Sequence, residues 1–273
     1  LLGLVACVAT LALSGALLAG CSGSGDKTGG DSADGKETLT VGFDQSYPPY
    51  GFVGDDGKYT GFDLDLAQAV CDKNGWELKL SAIDWDAKDA LLAQGNINCI
   101  WNGFTMEGRE NDYTFSDPYM LNEQVIVVKA GSDISDFAGL AGKTVMTQVD
   151  SAALDVLEGD QAEVAATFKG GAAKTIGDYN NAFMQLDSGV IDAVACDLSI
   201  AQYQIAANPD KYVQLSTPLS TEHYAVGFKK GDTELAQKVT ETLKQLDADG
   251  TVKQLCEKYA SYGISYDNWV LGK

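Results

Sequence analysis

Apolar and polar positions alternate with two clear periods along most of this chain. TLTVGF (38–43) puts Leu39, Val41 and Phe43 on one face, the period of a strand. GFDLDLAQAVCDKNG (61–75) carries Leu64, Ala67 and Cys71 along one helical face. Asp63 is a candidate cap there, and Gly75 a stop. WELKLSAI predicts a strand, DAKDALLAQG a helix ending at Gly95, and INCIW a short strand. EQVIVVK (123–129) reads as a buried strand, GKTVMTQ (142–148) as another, and SAALDVLEG as a short helix. EVAATF predicts a strand. DYNNAFMQLDSG predicts a helix with Tyr179, Phe183 and Leu186 on one face, and VIDAVAC (190–196) a strand. Near the end, Leu235, Val239, Leu243 and Leu246 share one helical face, as do Val252, Leu255, Cys256 and Tyr259. Strands alternate with helices throughout, which predicts α/β architecture with mostly parallel sheets. Two similar runs, 38–115 and 123–216, predict two lobes. Ligands in open α/β sheets sit beyond the carboxyl ends of the strands, so two such ends can face each other across a cleft.

The N-terminus breaks this pattern. Residues 1–20 carry no charge, a length that suits a membrane span or the apolar region of a secretory signal. LLAGC (17–21) resembles a bacterial lipobox, in which small residues precede a cysteine that receives lipid after cleavage. Cys21 is therefore the predicted lipidation site, with a basic segment and a starting Met expected ahead of Leu1. Residues 21–36 are dominated by Gly, Ser, Asp and Lys and predict a flexible tether, so folding starts near Glu37.

With 273 residues and 45% apolar content, the chain has material for one large or two medium cores. A formal net charge of −20 argues against nucleic acid and anionic membrane surfaces as partners. Beyond Cys7 and Cys21, four cysteines remain, none in a CxxC pair, which argues against zinc and iron–sulfur clusters. Outside the cytoplasm a Cys71–Cys99 disulfide is permitted, and four buried thiols are the alternative. His223 is the only histidine, no G-x-S-x-G elbow exists, and no EF-hand loop appears. No catalytic residue, metal or cofactor is expected. GLAGKT (139–144) fails as a phosphate loop because Phe137 stands where a glycine is required.

Among 19 lysines and arginines, Arg109 is the only arginine. Its rigid fork can grip a carboxylate with two parallel hydrogen bonds, which lysine cannot do.

Six segments, in order, then carry a resemblance: VGFDQSYPPYGF (41–52), GKYTGFDLDLAQAV (57–70), FSDPYM (115–120), LAGKTVMTQ (140–148), SGVIDAVACD (188–197) and ADGTVKQLCEKY (248–259). Over roughly 38–260 the chain resembles the extracellular solute-binding proteins (family 3) of bacterial polar amino acid ABC transporters, here of lipoprotein type. The resemblance implies a two-lobed periplasmic-binding-protein-like fold (type II) that closes on an amino acid like a hinged clamp. Crossings are expected near Tyr119–Gln124 and His223–Gly227. Lobe 1 is then 37–121 with 224–273, and lobe 2 is 122–223.

The resemblance also implies roles. Arg109, six residues before Phe115, grips the ligand α-carboxylate, with Asn102, the backbone of Gly103 and Thr105 completing that site. The loop departs from the commoner T-x-T-x-x-R, having one threonine four residues before Arg109. Asp197 accepts the α-ammonium. Tyr47 and Trp85 clamp the ligand, Asp44 approaches its side chain, and Ser151 contributes from lobe 2, where Asp150 replaces the usual glycine. With one arginine already committed and Asp44 opposing, a neutral polar or basic ligand is expected over glutamate or aspartate, and cystine fits as a zwitterion at both ends. The expected protein is a monomeric, lipid-anchored, non-enzymatic binding protein on the extracytoplasmic face that serves an ABC permease. A dehydratase-like enzyme on the same scaffold and a ligand-sensing surface lipoprotein are the alternatives.

Overall fold

The computed structural model describes residues 36–273. The apolar run 1–20, Cys21 and most of the predicted tether lie outside the described residues. In chain order the elements are β1 (Thr38–Phe43), β2 (Ser46–Tyr47), β3 (Gly51–Val53), β4 (Tyr59–Thr60), α1 (Phe62–Asn74), β5 (Glu77–Ala82), α2 (Lys88–Ala93), β6 (Cys99–Ile100) and β7 (Tyr113–Phe115). There follow β8 (Met120–Lys129), β9 (Val145–Gln148), α3 (Ala152–Glu158), α4 (Ala162–Ala165), β10 (Lys174–Ile176), α5 (Tyr179–Ser188), β11 (Ala193–Asp197), α6 (Leu198–Ala207), β12 (Tyr212–Gln214) and β13 (Ser220–Tyr224). The chain ends through β14 (Gly227–Lys229), α7 (Thr233–Ala248) and α8 (Thr251–Lys258).

Two larger sheets organise these elements. The first has order β5-β1-β6-β14-β7, the second β10-β9-β11-β8-β12, with β13 also paired to β8. The chain passes between them twice, after β7 and after β13. Both passages run side by side, because β8 and β13 pair antiparallel from Ser220↔Gln124 to Tyr224↔Met120. The C-terminal tail crosses the same place. Val270 donates to the Tyr119 carbonyl at 2.9 Å, and the Trp269 ring lies 5.7 Å from that of Tyr119.

Both sheets are mixed, which corrects the expectation of mostly parallel sheets. β5, β1 and β6 are mutually parallel, as are β10, β9 and β11. β8, however, runs antiparallel to β11, β12 and β13, and β14 antiparallel to β6 and β7. Each of these strands enters its sheet from the other lobe instead of through a helical crossover, so nothing forces the parallel direction.

Burial explains why β8 reads as a continuous apolar run. Ile126 and Val128 pack with Val145, Ala193, Leu157 and Phe168 on one side of the sheet. Val125 and Val127 pack with Val194, Tyr179, Phe183 and Leu186 on the other. A sheet covered on both faces needs both alternations apolar. In the first lobe, α1, α7 and α8 bury Leu66, Val70, Val239, Leu243, Val252 and Cys256 in one core with Val41. Leu92, Ile97, Ile100 and Phe104 form a core of their own.

Two local expectations are corrected, and the alternative left open for the cysteines is decided. EVAATF (163–168) is not a strand: its first three residues belong to the helix α4 (Ala162–Ala165). This alanine-rich stretch has high helix propensity, and Ala165 and Phe168 still reach the core. The strand in this region is β10, which pairs with β9. Asp63 does not cap α1. The cap position is Gly61, whose Cβ, if present, would lie 2.1 Å from the Tyr50 carbonyl oxygen, so a side chain is excluded there. Cys71 and Cys99, with Cys196 and Cys256, are free and buried, and Cys71 and Cys99 form no disulfide. Burial pushes the thiols of Cys71 and Cys256 up to about 12, so they remain protonated and unreactive. Among the described residues, no helix is long and apolar enough to cross a membrane, and no cluster of three or more acidic, His or Cys side chains is placed to hold a metal ion.

Candidate functional site

Asp197 is the last residue of β11, at the carboxyl end of a central strand, where an α/β sheet presents its binding residues. Its carboxylate is buried and accepts hydrogen bonds from Asn122 Nδ2 (2.9 Å), Gln124 Nε2 (2.7 Å) and the Tyr224 hydroxyl (2.8 Å). Asn122 and Gln124 alternate inward along β8, and Tyr224 ends β13. The two crossing strands thus floor the site. Burial raises the Asp197 carboxyl above its ordinary value, against the lowering effect of the Tyr47, Tyr224 and Gln124 donors.

A second buried carboxylate lies beside it. Glu222, on β13, accepts from Asn122 Nδ2 (2.8 Å), Gln124 Nε2 (2.7 Å) and the Thr105 hydroxyl (2.7 Å). Burial first, and then the charge of Asp197, push Glu222 up to about 7. Thr105 thus lies beside this pair of carboxylates, with its hydroxyl directed to Glu222.

The loop ahead of Arg109 is shaped by contacts that the sequence did not reveal. Gly103 has φ +57, and a Cβ would sit 3.1 Å from the Tyr224 ring and 3.2 Å from that of Tyr47. The Gly103 N–H donates to Asp63 Oδ2 at 2.6 Å, so this donor, expected to serve a ligand carboxylate, is already engaged. Asp63 also accepts from the Tyr119 hydroxyl at 2.8 Å. It is fully buried, and desolvation lifts it to about 7 although these donors pull the other way. Asn102 is buried with neither amide atom hydrogen-bonded.

The lobes meet along a seam. Arg109 Nη2 donates to Asp155 Oδ2 (2.8 Å) on α3 and to the Asp150 carbonyl (3.2 Å), and its guanidinium lies 5.1 Å from the centre of the Phe104 ring. Trp85 Nε1 donates to the same Asp150 carbonyl at 3.1 Å. Lys88, almost fully buried, sits 3.6 Å from the Asp150 carboxylate, and burial lowers its pKa. Asp150 adopts φ +53, the left-handed conformation that glycine takes freely and that Asp tolerates better than most residues. That is how Asp replaces glycine here and gains a carboxylate for Lys88. Ser151 caps α3, accepting from Leu154 N–H at 3.2 Å, and lies 3.1 Å from the Thr147 hydroxyl. Asp44 accepts from Gln148 Nε2 across the seam at 2.7 Å, and burial raises its pKa.

Tyr47 neighbours Tyr50 and Tyr179, the latter at 6.1 Å across the seam, while Trp85 packs edge-on against Phe104 at 5.7 Å. His223 turns to the opposite face of β13 from Glu222, its Nδ1 2.7 Å from Glu107.

Two α/β lobes joined by adjacent crossing strands, with buried polar groups at the junction, define a hinged binding protein. The chain belongs to the bacterial extracellular solute-binding proteins, family 3, whose model matches residues 39–262. It is 30% identical over 225 residues to the L-cystine-binding protein TcyJ of Escherichia coli (strain K12), covering 81% of this chain and 82% of that one. Among solved structures, a Streptococcus pneumoniae ABC uptake transporter substrate-binding protein with bound histidine superposes with TM-score 0.80 at 34% identity, covering 84% and 94% of the two chains. The ancestral amino acid-binding protein AncCDT-1, described as a precursor of cyclohexadienyl dehydratase, matches with TM-score 0.73 at 31% identity, covering 81% and 95%.

Proposed function

We propose that this protein captures a polar amino acid outside the cytoplasm and delivers it to an ABC permease, without catalysing a reaction. The observation that carries this reading is the combination of Asp197 at the strand end with Arg109 at the seam: one anion for an α-ammonium, one cation for an α-carboxylate. Arg109 already holds a carboxylate, that of Asp155, at 2.8 Å. A ligand carboxylate would take over that partner's place as the lobes close. Lobe 1 is read as 37–121 with 224–273 and lobe 2 as 122–223, and the working form as a monomer. Asp44, Tyr47, Trp85, Asn102, Gly103, Thr105 and Ser151 remain the proposed lining, with Gly103 contributing shape.

The ligand class follows from charge. Asp44, Asp197 and Glu222 are all buried, and Arg109 is the only arginine. A second ligand carboxylate would meet anions, which favours a neutral or basic amino acid, or cystine. The relatives named for cystine and histidine support the same range. The test is calorimetric titration of the full-length protein, stripped of retained ligand by unfolding and refolding, against free amino acids and cystine. Tight binding of one or a few non-acidic members is expected. Silence across the panel, or preference for glutamate, overturns the reading.

Anchoring at Cys21 by lipid is part of the proposal, supported by the LLAGC sequence. Cys21→Ala is expected to move the protein from the membrane to the soluble fraction. Continued fractionation with membranes would mean that the apolar run itself is the anchor.

A further inference from the structure

Asn122 and Gln124 each present two amide hydrogens, and the structure commits all four to the same two oxygens, Asp197 Oδ1 and Glu222 Oε1. The two carboxylates are therefore close neighbours, each amide nitrogen lying 2.7–2.9 Å from one oxygen of both. No lysine, arginine or histidine lies within ion-pair distance of either one among the described residues. The other titratable groups placed against the pair are all uncharged at neutral pH: Tyr47 from β2, Tyr50 from the turn after it, Tyr179 from α5, Cys196 from β11 and Tyr224 from β13. Thr105 adds a hydroxyl. Burying two like charges without a cation is costly, so the pair holds a proton unless something positive arrives.

A second observation points to what arrives. Gln124 is fully buried, its Nε2 lies between the two carboxylates, and its Oε1 has no hydrogen-bond partner. That acceptor is one amide's width from the pair. Two carboxylates and an amide oxygen supply three acceptors, the number of N–H bonds on a primary ammonium.

We propose that Glu222 joins Asp197 as a second carboxylate of the amine subsite, so that one ligand ammonium, or one proton in its absence, is held between the two carboxylates and the Gln124 amide. Binding then exchanges a proton for the ligand: the ammonium enters carrying its own three hydrogens, and the proton shared by the carboxylates leaves to solvent. The inference rests on the amino acid reading above and extends it, because the resemblance assigned the ammonium to Asp197 alone. Glu222 is nearer neutrality than an ordinary glutamate, having been raised to about 7. The exchange therefore falls in a physiological range. Below that value the proton competes with the ligand, and affinity drops as pH falls.

The test is titration calorimetry of the full-length protein and its Glu222→Gln form, with L-arginine, L-glutamine and L-cystine as probes, from pH 5.5 to 7.5. Each titration is repeated in buffers of different ionisation heat to count protons. The parent is expected to weaken about tenfold or more on acidification and to release a substantial fraction of one proton near pH 6. Glu222→Gln is expected to release none and to bind about 10- to 100-fold more weakly at pH 7.5, the loss of one charge-assisted bond. Glu222→Asp should restore the pH profile, which a purely structural glutamate would not require. If the parent binds a probe without releasing a proton, the proposal is overturned whether or not the variants fold. It is overturned equally if Glu222→Gln keeps the parent's affinity and profile. If the parent binds none of the probes, the amino acid reading fails first and takes this one with it.

Discussion

Arg109→Ala lowers affinity for the cognate amino acid about 100-fold or more, because hydrogen bonds to charged groups contribute roughly 1.5–3 kcal/mol each and the variant leaves a buried ligand carboxylate unpaired. The same substitution barely changes stability. In this structure the Arg109 side chain, 12% exposed, pairs with that of Asp155, 59% exposed, and ion pairs open to solvent on one side contribute about 1 kcal/mol or less. The two measurements together therefore separate the roles of this residue: a large loss in calorimetric affinity with a nearly unchanged melting temperature marks a ligand contact. Asp155→Ala supplies the converse. It removes the internal carboxylate without touching the guanidinium, and affinity should hold or improve. Arg109→Ala binding within a factor of about three of the parent would sink the carboxylate role, since that is under 1 kcal/mol.

The second large effect concerns Asp63. Asp63→Ala should destabilise the protein by about 2–4 kcal/mol, leaving the Gly103 N–H and the Tyr119 hydroxyl buried without an acceptor. Gly103 opens the loop that carries Arg109, so affinity falls with stability. Asp63→Asn tests the charge separately. Asp63 is raised by burial from 3.8 to about 7 in the folded chain. Between those values the folded state holds a proton that the unfolded state has lost, so stability decreases as pH rises through that window and levels off above it. At 1.36 kcal/mol per unit the full span corresponds to something on the order of 4 kcal/mol. Asp44, Asp197 and Glu222 are raised for the same reason and add to the trend. The ligand-free parent should therefore unfold at lower denaturant at pH 8 than at pH 5, and Asp63→Asn should reduce that difference. An equal slope in parent and variant would show that Asp63 is not the group responsible.

Periodicity in the sequence was enough to place the helices around 62–74, 179–188 and 233–248, because each presents a continuous apolar stripe to a core. Periodicity carries no information about strand direction, so the antiparallel entry of β8 and β14 was invisible. EVAATF misled because alternating Val, Ala and Phe suits a strand as well as a short helix packed by Ala165 and Phe168. The site divides the same way. Arg109 stood out by rarity, and Asp197 through the resemblance. Asn122 and Gln124 flank a partly exposed Glu123 in MLNEQV, and nothing in that string says which of the three polar residues face inward. Glu222 and Asp63 were two acids among 39. What sets them apart is burial without a cation, a property of the packed chain. Tyr179 shares a helical face with Phe183 and Leu186 and is buried with them, and its approach to Tyr47 follows only from how the lobes meet.

The strand order of the first sheet has a consequence for how the chain is made. β14 sits between β6 and β7, yet it is formed from residues 227–229, more than a hundred positions after its neighbours. A ribosome therefore delivers an unfinished first sheet, with an interior strand missing, and then the whole of the second sheet in one unbroken run from β8 to β13. Domains generally complete as their sequence emerges, N-terminal ones first. Here that order is reversed: the second lobe is the first that can close, and the first lobe must wait, with β6 and β7 unjoined, until β14 threads between them.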